Sequence, residues 1–493
     1  MLFSYFDLKS ALLGIIVFFF VSILYRRRVR SNFPPGPPGW PLVGHLLSLG
    51  SYPPHETITK LARKYGNVMG LQLGVFPVVV LSDYESIREA LVKSGDKFSD
   101  RPRMVILDYL NHGRGLIGAY HENAQKEQRR FAMSVLRGFG MGKTSFEEKI
   151  NDEIDIFVDH IKKELSNVSL NPANILGVAV SNITCSIVFG RRYNYNDEKF
   201  LRMLHFIEKR IQIATAVTPL NFVPFLQYFP HKEFDDVVSC TTNFNEFTRE
   251  IFEDHWKDYD PDNPRDFIDV YRAEIERSKG RFCFDEDNMT HVIGDLFLAG
   301  SETTSTTLLW AMMYMSKHPE VQQKVQDELD QVVGAGNHPT KAHVPQLPYT
   351  DAVLMEIQRM GAIGPMAVPH AATADTTFRG YDIKKGTIIM PNLFAVLRDA
   401  NVWKEPYTFY PERFLDDNNQ VIRREELIPF GIGRRSCIGE QLANTELLLF
   451  FTNIMMNFKI NWSDTQPGPD KRSKIGATRI PDNFEVILIQ RHQ

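Results

Sequence analysis

The sequence predicts a mainly α protein with small peripheral β-sheets. Helical spacing of apolar residues fills most of the chain beyond Pro54. Strand signals, by contrast, are few, short and far apart, as in helical architectures with β pairs at the edge. No low-complexity linker, internal repeat or charge block divides the 493 residues, so one large domain over 42–493 is expected despite the length.

The first thirty residues differ from the rest. Ala11–Tyr25 carries no charge and as a helix would span about 22 Å, short of the roughly 30 Å hydrocarbon core. Met1–Phe6 extends the apolar run upstream, with Lys9 snorkelling. Arg26, Arg27, Arg28 and Arg30 follow, and basic residues mark the cytoplasmic side. A cleaved signal peptide would want small residues where these arginines stand. Residues 1–30 therefore read as an uncleaved membrane anchor and basic flank, with the body in the cytosol. Phe33-Pro34-Pro35-Gly36-Pro37-Pro38-Gly39-Trp40 makes 31–41 a semi-rigid hinge, because proline cannot continue a helix. Whether it is a plain linker or a positioning strap stays open.

Helices are expected over Pro54–Tyr65, Tyr84–Lys93, Asn123–Arg137, Phe146–Leu165, Asn171–Val188, Asp197–Ala214 and Lys232–Tyr259. Proline at the start of the first is tolerated there. Strands are expected at Val68–Leu73 with Pro77–Leu81, Thr376–Ile383 with Thr387–Met390, and Val486–Ile489. The longest helix should run from Asn288 to Lys317 and stop at His318-Pro319. Its apolar residues surround it, which marks a buried helix. Yet its middle reads Ala299-Gly300-Ser301-Glu302-Thr303-Thr304, and a buried charge must be paired, neutralised or wet. The plain alternative is a polar face turned to solvent, with Thr303 bonding back to the carbonyl of Ala299. Tyr349–Met360 carries Glu356 and Arg359 at helical spacing, ordinarily a weak surface pair.

Net charge is −4 and charged residues make up 24 %, so no global basic field argues for nucleic acid. Cys185, Cys240, Cys283 and Cys437 are widely spaced and fit a reducing compartment. Cys437 stands apart. It lies between the glycine-rich, doubly basic Phe430-Gly431-Ile432-Gly433-Arg434-Arg435 and a helical segment, Gln441–Phe458. Neighbouring cations and a helix N-terminus lower a thiol pKa and favour metal ligation. Glycines 431, 433 and 439 allow tight turns that bring N–H groups to the sulfur.

Phe430, Gly433, Arg435, Cys437 and Gly439 together match the haem-binding loop of the cytochromes P-450, and the chain resembles that family over essentially its whole length. Cys185–Gly190 and Phe267–Tyr271 resemble the family-two microsomal branch. The resemblance implies the P-450 fold, with 42–493 as a haem-thiolate domain and Cys437 as axial ligand of haem b. It implies that Arg101, Arg129, His370 and Arg435 face the haem propionates. Gln125 stands where a tryptophan is usual. It implies an acid–alcohol pair of Glu302 and Thr303 that delivers protons, with Gly300 leaving room over the haem. It also implies that Glu356, Arg359 and Arg413, the last in Phe409-Tyr410-Pro411-Glu412-Arg413-Phe414, form a buried structural triad. The activity so implied is O2-dependent monooxygenation of a lipophilic small molecule, whether fatty acid, steroid or xenobiotic, at the endoplasmic reticulum membrane.

Electrons must come from outside. No flavin or dinucleotide fingerprint is present: Gly431-Ile432-Gly433 begins one, but no βαβ unit surrounds it. The resemblance implies a membrane-bound, NADPH-dependent diflavin reductase, and Lys126, Arg130 and Arg137 fall near one helical face that could meet an acidic partner. Two other classes stay in view. A haem-thiolate isomerase or dehydratase would act on peroxides without external electrons, and a haem sensor would turn over nothing. Substrate linings are expected from 103–117, 211–222, 297–303, 363–368 and 475–478.

Overall fold

A computed structural model describes residues 14, 17, 32–49, 53–120, 122–142, 144–213, 218–229, 232–279, 283–334, 336–463, 473–474 and 476–491. The expected anchor and its arginine flank lie outside the described residues, apart from Gly14 and Val17. Among the described residues no helix is long and apolar enough to cross a membrane.

The principal helices are α1 Pro54–Tyr65, α2 Glu122–Gly138, α3 Thr144–His160, α4 Ala173–Val188, α5 Glu198–Ile213, α6 Lys232–Lys257, α7 Phe267–Arg277, α8 Glu286–Lys317, α9 Pro319–Val332, α10 Pro348–Gly361 and α11 Glu440–Asn457. Two expected helices change pitch near their ends. Tyr84–Arg88 widens into a π turn over Glu89–Lys93, and α3 does the same over Ile161–Leu165. The sequence reading did not single out α7 or α9 as helices. Short amphipathic stretches beside a longer helix carry a weak periodic signal.

The 32 residues of α8 form the axis. The helix starts where Asp285 caps the Asn288 N–H and ends before Pro319, which cannot continue it. It packs on α4, α10 and α11. Phe297, with no exposure, meets Phe189 and Phe200 from α4's end and α5. Burying such a ring stabilises the fold by about 1.5–3 kcal/mol, and each ring pair adds about 0.5–1.5 kcal/mol.

The strands are β1 Val68–Leu73, β2 Phe76–Leu81, β3 Ser169–Leu170, β4 His370–Ala371, β5 Thr376–Phe378, β6 Tyr381–Ile383, β7 Ile388–Pro391, β8 Phe458–Trp462, β9 Ser473–Lys474, β10 Ile480–Pro481 and β11 Val486–Gln490. They make a four-stranded sheet in the order β1-β2-β7-β4, a three-stranded sheet β3-β11-β8 and two two-stranded pairs. Where one strand was expected over Thr376–Ile383, the chain folds into the β5–β6 hairpin. Arg379 and Gly380 both adopt positive φ, 46° and 84°, which turns the backbone back on itself.

The proline-rich segment lies along β1. The Gly70 N–H donates to the Pro35 carbonyl at 2.8 Å, and a Cβ at Gly36 would sit 1.8 Å from the Gly70 oxygen. That close approach is what Gly36 supplies.

Candidate active site

A cavity of about 340 Å³ lies between α8, the β4–β7 edge, the 429–439 loop and the start of α11. Cys437 is in its wall. The Cys437 N–H donates to the Phe430 carbonyl at 3.0 Å, closing the loop, while Gly431 and Gly433 take φ of 68° and 86°. A Cβ at Gly433 would lie 2.2 Å from the Leu91 carbonyl oxygen, so only glycine fits there. The N–H groups of Gly439 and Glu440, at the N-terminus of α11, point at the sulfur.

The electrostatics of the thiol differ from the sequence expectation. Cys437 faces the cavity, and so is exposed by area, but protein encloses it otherwise. Enclosure governs its proton. Burial pushes the thiol up, with a smaller push from Glu440, and outweighs the two N–H donors and the Arg129 charge. Deprotonation there falls to a bound metal, which is the largest charge in any such site.

The four cationic candidates converge on this cavity with Gln125. Arg101 donates to the carbonyls of Ile117, Val368 and Pro369 at 2.9–3.0 Å. Arg129 donates to Ser436 O at 2.7 Å and so braces the residue before the cysteine. Arg435 reaches Ser99 O at 3.0 Å and Ala119 O at 2.7 Å. Carbonyls orient a guanidinium without neutralising it. Burial and the Arg435 charge hold Arg101 well below its ordinary value, and burial lowers Arg129. His370 is likewise held far down, by burial first and then by Arg101 and Arg435. Its Nδ1 lies 2.8 Å from the Phe98 carbonyl and must carry the proton, so Nε2 can donate to an anion only from the imidazolium.

Glu302 and Thr303 are neighbours on α8 and diverge by about 100° around the helix. Thr303 lines the main cavity, and its hydroxyl donates back to Ala299 O at 2.7 Å. Glu302 turns into a second cavity of about 310 Å³ on the other flank of α8. Its Oε1 accepts from Thr306 at 3.2 Å and Thr478 at 3.4 Å. Gly300 lines the main cavity, but what a Cβ there would strike is Thr184 of α4, whose Oγ1 would be 2.7 Å away.

Glu356, Arg359 and Arg413 meet in the core. Arg359 bonds Glu356 in bidentate fashion at 2.7 and 2.8 Å, and Arg413 Nε reaches the same carboxylate at 3.1 Å. Arg359 also donates to Leu397 O and Pro406 O, both at 2.8 Å, which ties α10 to the irregular chain before the cysteine loop.

Of the linings expected from sequence, 297–303, 363–368 and Thr478 reach the main cavity, as do Leu116 and Ile117. The described part of 211–222 does not. Three acid features escaped the sequence reading. Asp295 accepts backbone N–H groups at the cavity edge, Glu446 is buried beside Thr304, and Glu302 meets Thr478. A lone acid within the apolar runs Val292–Phe297 and Thr445–Phe451 was the available signal for the first two.

The family model "Cytochrome P450" matches residues 34–488. The chain belongs to the cytochrome P450 family. This P450 is similar to "Cytochrome P450 2U1" of Homo sapiens, 38 % identical over 511 residues that cover 97 % of this chain and 93 % of that one. It is 39 % identical over 488 residues to "Cytochrome P450 2J2" of Homo sapiens, covering 98 % and 96 %. With "Cytochrome P450 2D3" of Rattus norvegicus it shares 37 % over 490 residues, 98 % of each chain. The enzyme is therefore a haem-thiolate monooxygenase of the family-two type, with haem b as cofactor and electrons drawn from NADPH through a reductase.

The residues present fit haem. A thiol opens into an apolar cavity, N–H groups aim at its sulfur, and buried guanidinia with depressed pKa stand where an anionic edge would relieve them. Gln125 is buried in the wall beside Arg129, where its amide could donate to that edge without the bulk of an indole.

Proposed function

We propose that Cys437 holds haem iron in this P450, and that the enzyme inserts one oxygen atom of O2 into a lipophilic molecule: a fatty acid or other lipid, a steroid or a xenobiotic. The observation that carries the reading is the Cys437 sulfur at the floor of an apolar cavity, cradled by the Gly439 and Glu440 N–H groups. When bound, a haem with a thiolate ligand supplies the power to cleave O–O and attack C–H bonds.

The chain supplies the rest. Arg101, Arg129 and Arg435 would balance the carboxylates of the haem edge, and His370, held neutral without an anion, would join them only if that edge drew a proton onto its ring. Ile117, Leu296, Ala299, Ile363, Ala367 and Val368 line the apolar side of the cavity and exclude water from a bound substrate. Thr303 lines the cavity with its hydroxyl bonded back to Ala299 O, and Glu302, next to it on α8, is the acid that replenishes protons from the second cavity. Glu356, Arg359 and Arg413 hold the chain before the ligand in register.

For electrons we infer a membrane-bound diflavin reductase docking over α2. Lys126, Arg130 and Arg137 are exposed on this helix, whose Arg129 bonds Ser436 beside the ligand. The domain layout follows: anchor 1–30, strap 31–41 and catalytic domain 42–493, at the endoplasmic reticulum membrane facing the cytosol. An apolar surface supports the membrane side. Leu42, Leu47, Val75, Phe225 and Phe229 are each more than half exposed. The Gly74 N–H to Val43 O and Val75 N–H to Phe222 O hydrogen bonds hold their three segments together near the strap.

The test is the ferrous–CO spectrum. Intact protein should give the strongly red-shifted Soret band of thiolate ligation, and Cys437→Ala and Cys437→His should lose both that band and turnover. An imidazole-type band from folded wild type would overturn the assignment. A peroxide isomerase is the second reading. It needs no proton delivery from Glu302 and Thr303, and product formation without NADPH would favour it.

A further inference from the structure

Glu302 and the main cavity are on different sides of α8, yet one hydroxyl joins them. Thr478, in the segment between β9 and β10, lines the main cavity, and its Oγ1 donates to Glu302 Oε1 at 3.4 Å. Glu302 itself lines the second cavity and is not among the residues of the first. The contact is long for a hydrogen bond, as such contacts commonly are before ligands tighten a site.

The second cavity is polar on its α8 side and reaches solvent. Ser301, Ser305 and Thr306 line it with Ser181 of α4. The hydroxyls of Ser181 and Ser301 are buried and find no partner among the described residues, although their side chains border a cavity of about 310 Å³. Buried hydroxyls without protein partners beside a polar void call for water. Exposed His205 and half-buried Glu208 and Asp482 also line this cavity, which brings it to the protein surface.

Thr303 is less well placed to meet the acid. Its hydroxyl is committed to Ala299 O at 2.7 Å, and its side chain leaves the helix about 100° away from Glu302.

We propose that Thr478 is the relay between Glu302 and the main cavity, with the second cavity as the water-filled intake. The proposal rests on the monooxygenase reading. Each turnover combines substrate, O2, two electrons and two protons into hydroxylated product and water. For each proton, the Thr478 hydroxyl turns from Glu302 to a water in the main cavity once Glu302 is protonated, gives its hydrogen to that water and takes the carboxyl hydrogen of Glu302, which restores the Thr478-to-Glu302 bond. Glu302 is reprotonated from water in the second cavity. One O–H bond forms for each that breaks, both residues return to their starting state, and both electrons come from the reductase.

Thr478→Val keeps the shape and removes the hydroxyl, and Thr478→Ser restores it. In the haem-loaded protein with reductase, Thr478→Val should raise severalfold the fraction of NADPH electrons that end in hydrogen peroxide. Thr478→Ser should return that fraction to wild type. The second readout needs no turnover. The infrared band of the Glu302 carboxyl group, assigned by its loss in Glu302→Gln, should shift in Thr478→Val and recover in Thr478→Ser. An unmoved band overturns the contact, and a moved band with unchanged peroxide overturns the relay. Wild-type protein that forms no NADPH-dependent product overturns the monooxygenase reading and the relay with it. The infrared band then still reports separately whether Thr478 meets Glu302.

Discussion

Asp295 Oδ2 accepts the backbone N–H of Leu116 at 2.7 Å, fixing the loop over the cavity to the central helix. The Ile117 N–H reaches the same oxygen at 2.8 Å, and Gly115 passes so close that a Cβ there would lie 2.4 Å from it. Leu116 and Ile117 line the cavity, and Arg435 and Arg101 bond their carbonyls. One carboxylate therefore sets both a cavity wall and the cation cluster.

Asp295→Ala should loosen this loop, raising amide hydrogen exchange at 115–117 and weakening substrate binding read from the haem's spin-state change. Losing both bonds leaves two buried donors unsatisfied, at about 1–3 kcal/mol each. Burial raises the Asp295 carboxyl to about 6, against the pull of the two N–H groups, Arg210 and Arg101. A folded-state value above the unfolded 3.8 gives stability that is full below that value and is lost as pH rises through about 6. The loss amounts to about 3 kcal/mol. Asp295→Asn keeps an acceptor and cannot ionise, so its melting temperature should gain on wild type between about pH 4 and 6 and level off above. Parallel profiles would refute this.

His255, Asp266 and Asp269 are the one cluster with metal-ligand geometry among the described residues, and its hydrogen bonds already use it up. His255 Nδ1 lies 2.8 Å from Ile251 O and Nε2 2.6 Å from Asp266 Oδ2, so both nitrogens donate and the ring is an imidazolium. Burial pulls its pKa down, but the Asp266 hydrogen bond and charge outweigh that, and the net value is raised. Stability from this pair is full below 6.5 and fades as pH climbs through the raised value. His255→Gln should cost about 3–5 kcal/mol near pH 6, and less in alkaline buffer. Zinc and chelators should leave the melting temperature of the wild type unchanged.

The triad gives a prediction of a different kind. Glu356 and Arg359 have no exposure, and the Glu356 carboxylate is shared by Arg359, Arg413 and the Tyr410 N–H. Glu356→Gln or Arg413→Leu leaves a buried charge short of a partner, worth about 3–5 kcal/mol. The chain Arg359 holds, around Leu397 and Pro406, precedes the Cys437 loop. Haem content per chain should therefore fall more steeply with temperature than in wild type, without a shift of the Soret band in the molecules that keep haem.

The helices were legible because their periodicity is local, and Cys437 because its glycines obey local backbone rules, Gly431 and Gly433 by positive φ. The β5–β6 hairpin was hidden because Arg379 takes a left-handed conformation that only Gly380 announces. The direction of the Cys437 shift was misread because burial is a property of the assembled fold, whereas charged neighbours are visible in sequence. The Glu302–Thr478 contact spans 176 positions, and no spacing rule reaches across that distance.

The membrane orientation is open to a single chemical test. Deleting Met1–Arg30 should release the protein from membranes and leave haem binding intact, since the site begins far downstream. Asn167-Val168-Ser169, Asn182-Ile183-Thr184 and Asn288-Met289-Thr290 all fit the glycosylation sequon. Asn182 is buried and bonded to Glu153 and the Tyr193 carbonyl, and Asn288 is buried at the start of α8, so neither is accessible to modification. Asn167 is different. It is exposed, at φ 61° in the turn before β3. A body in the cytosol never meets the glycosylation machinery, and Asn167 should stay bare in the native host. A glycan there, detected as a glycosidase-sensitive mass, would put the body in the lumen. Arg26–Arg30 would then no longer mark the cytoplasmic side, and Lys126, Arg130 and Arg137 would face away from a cytosolic reductase.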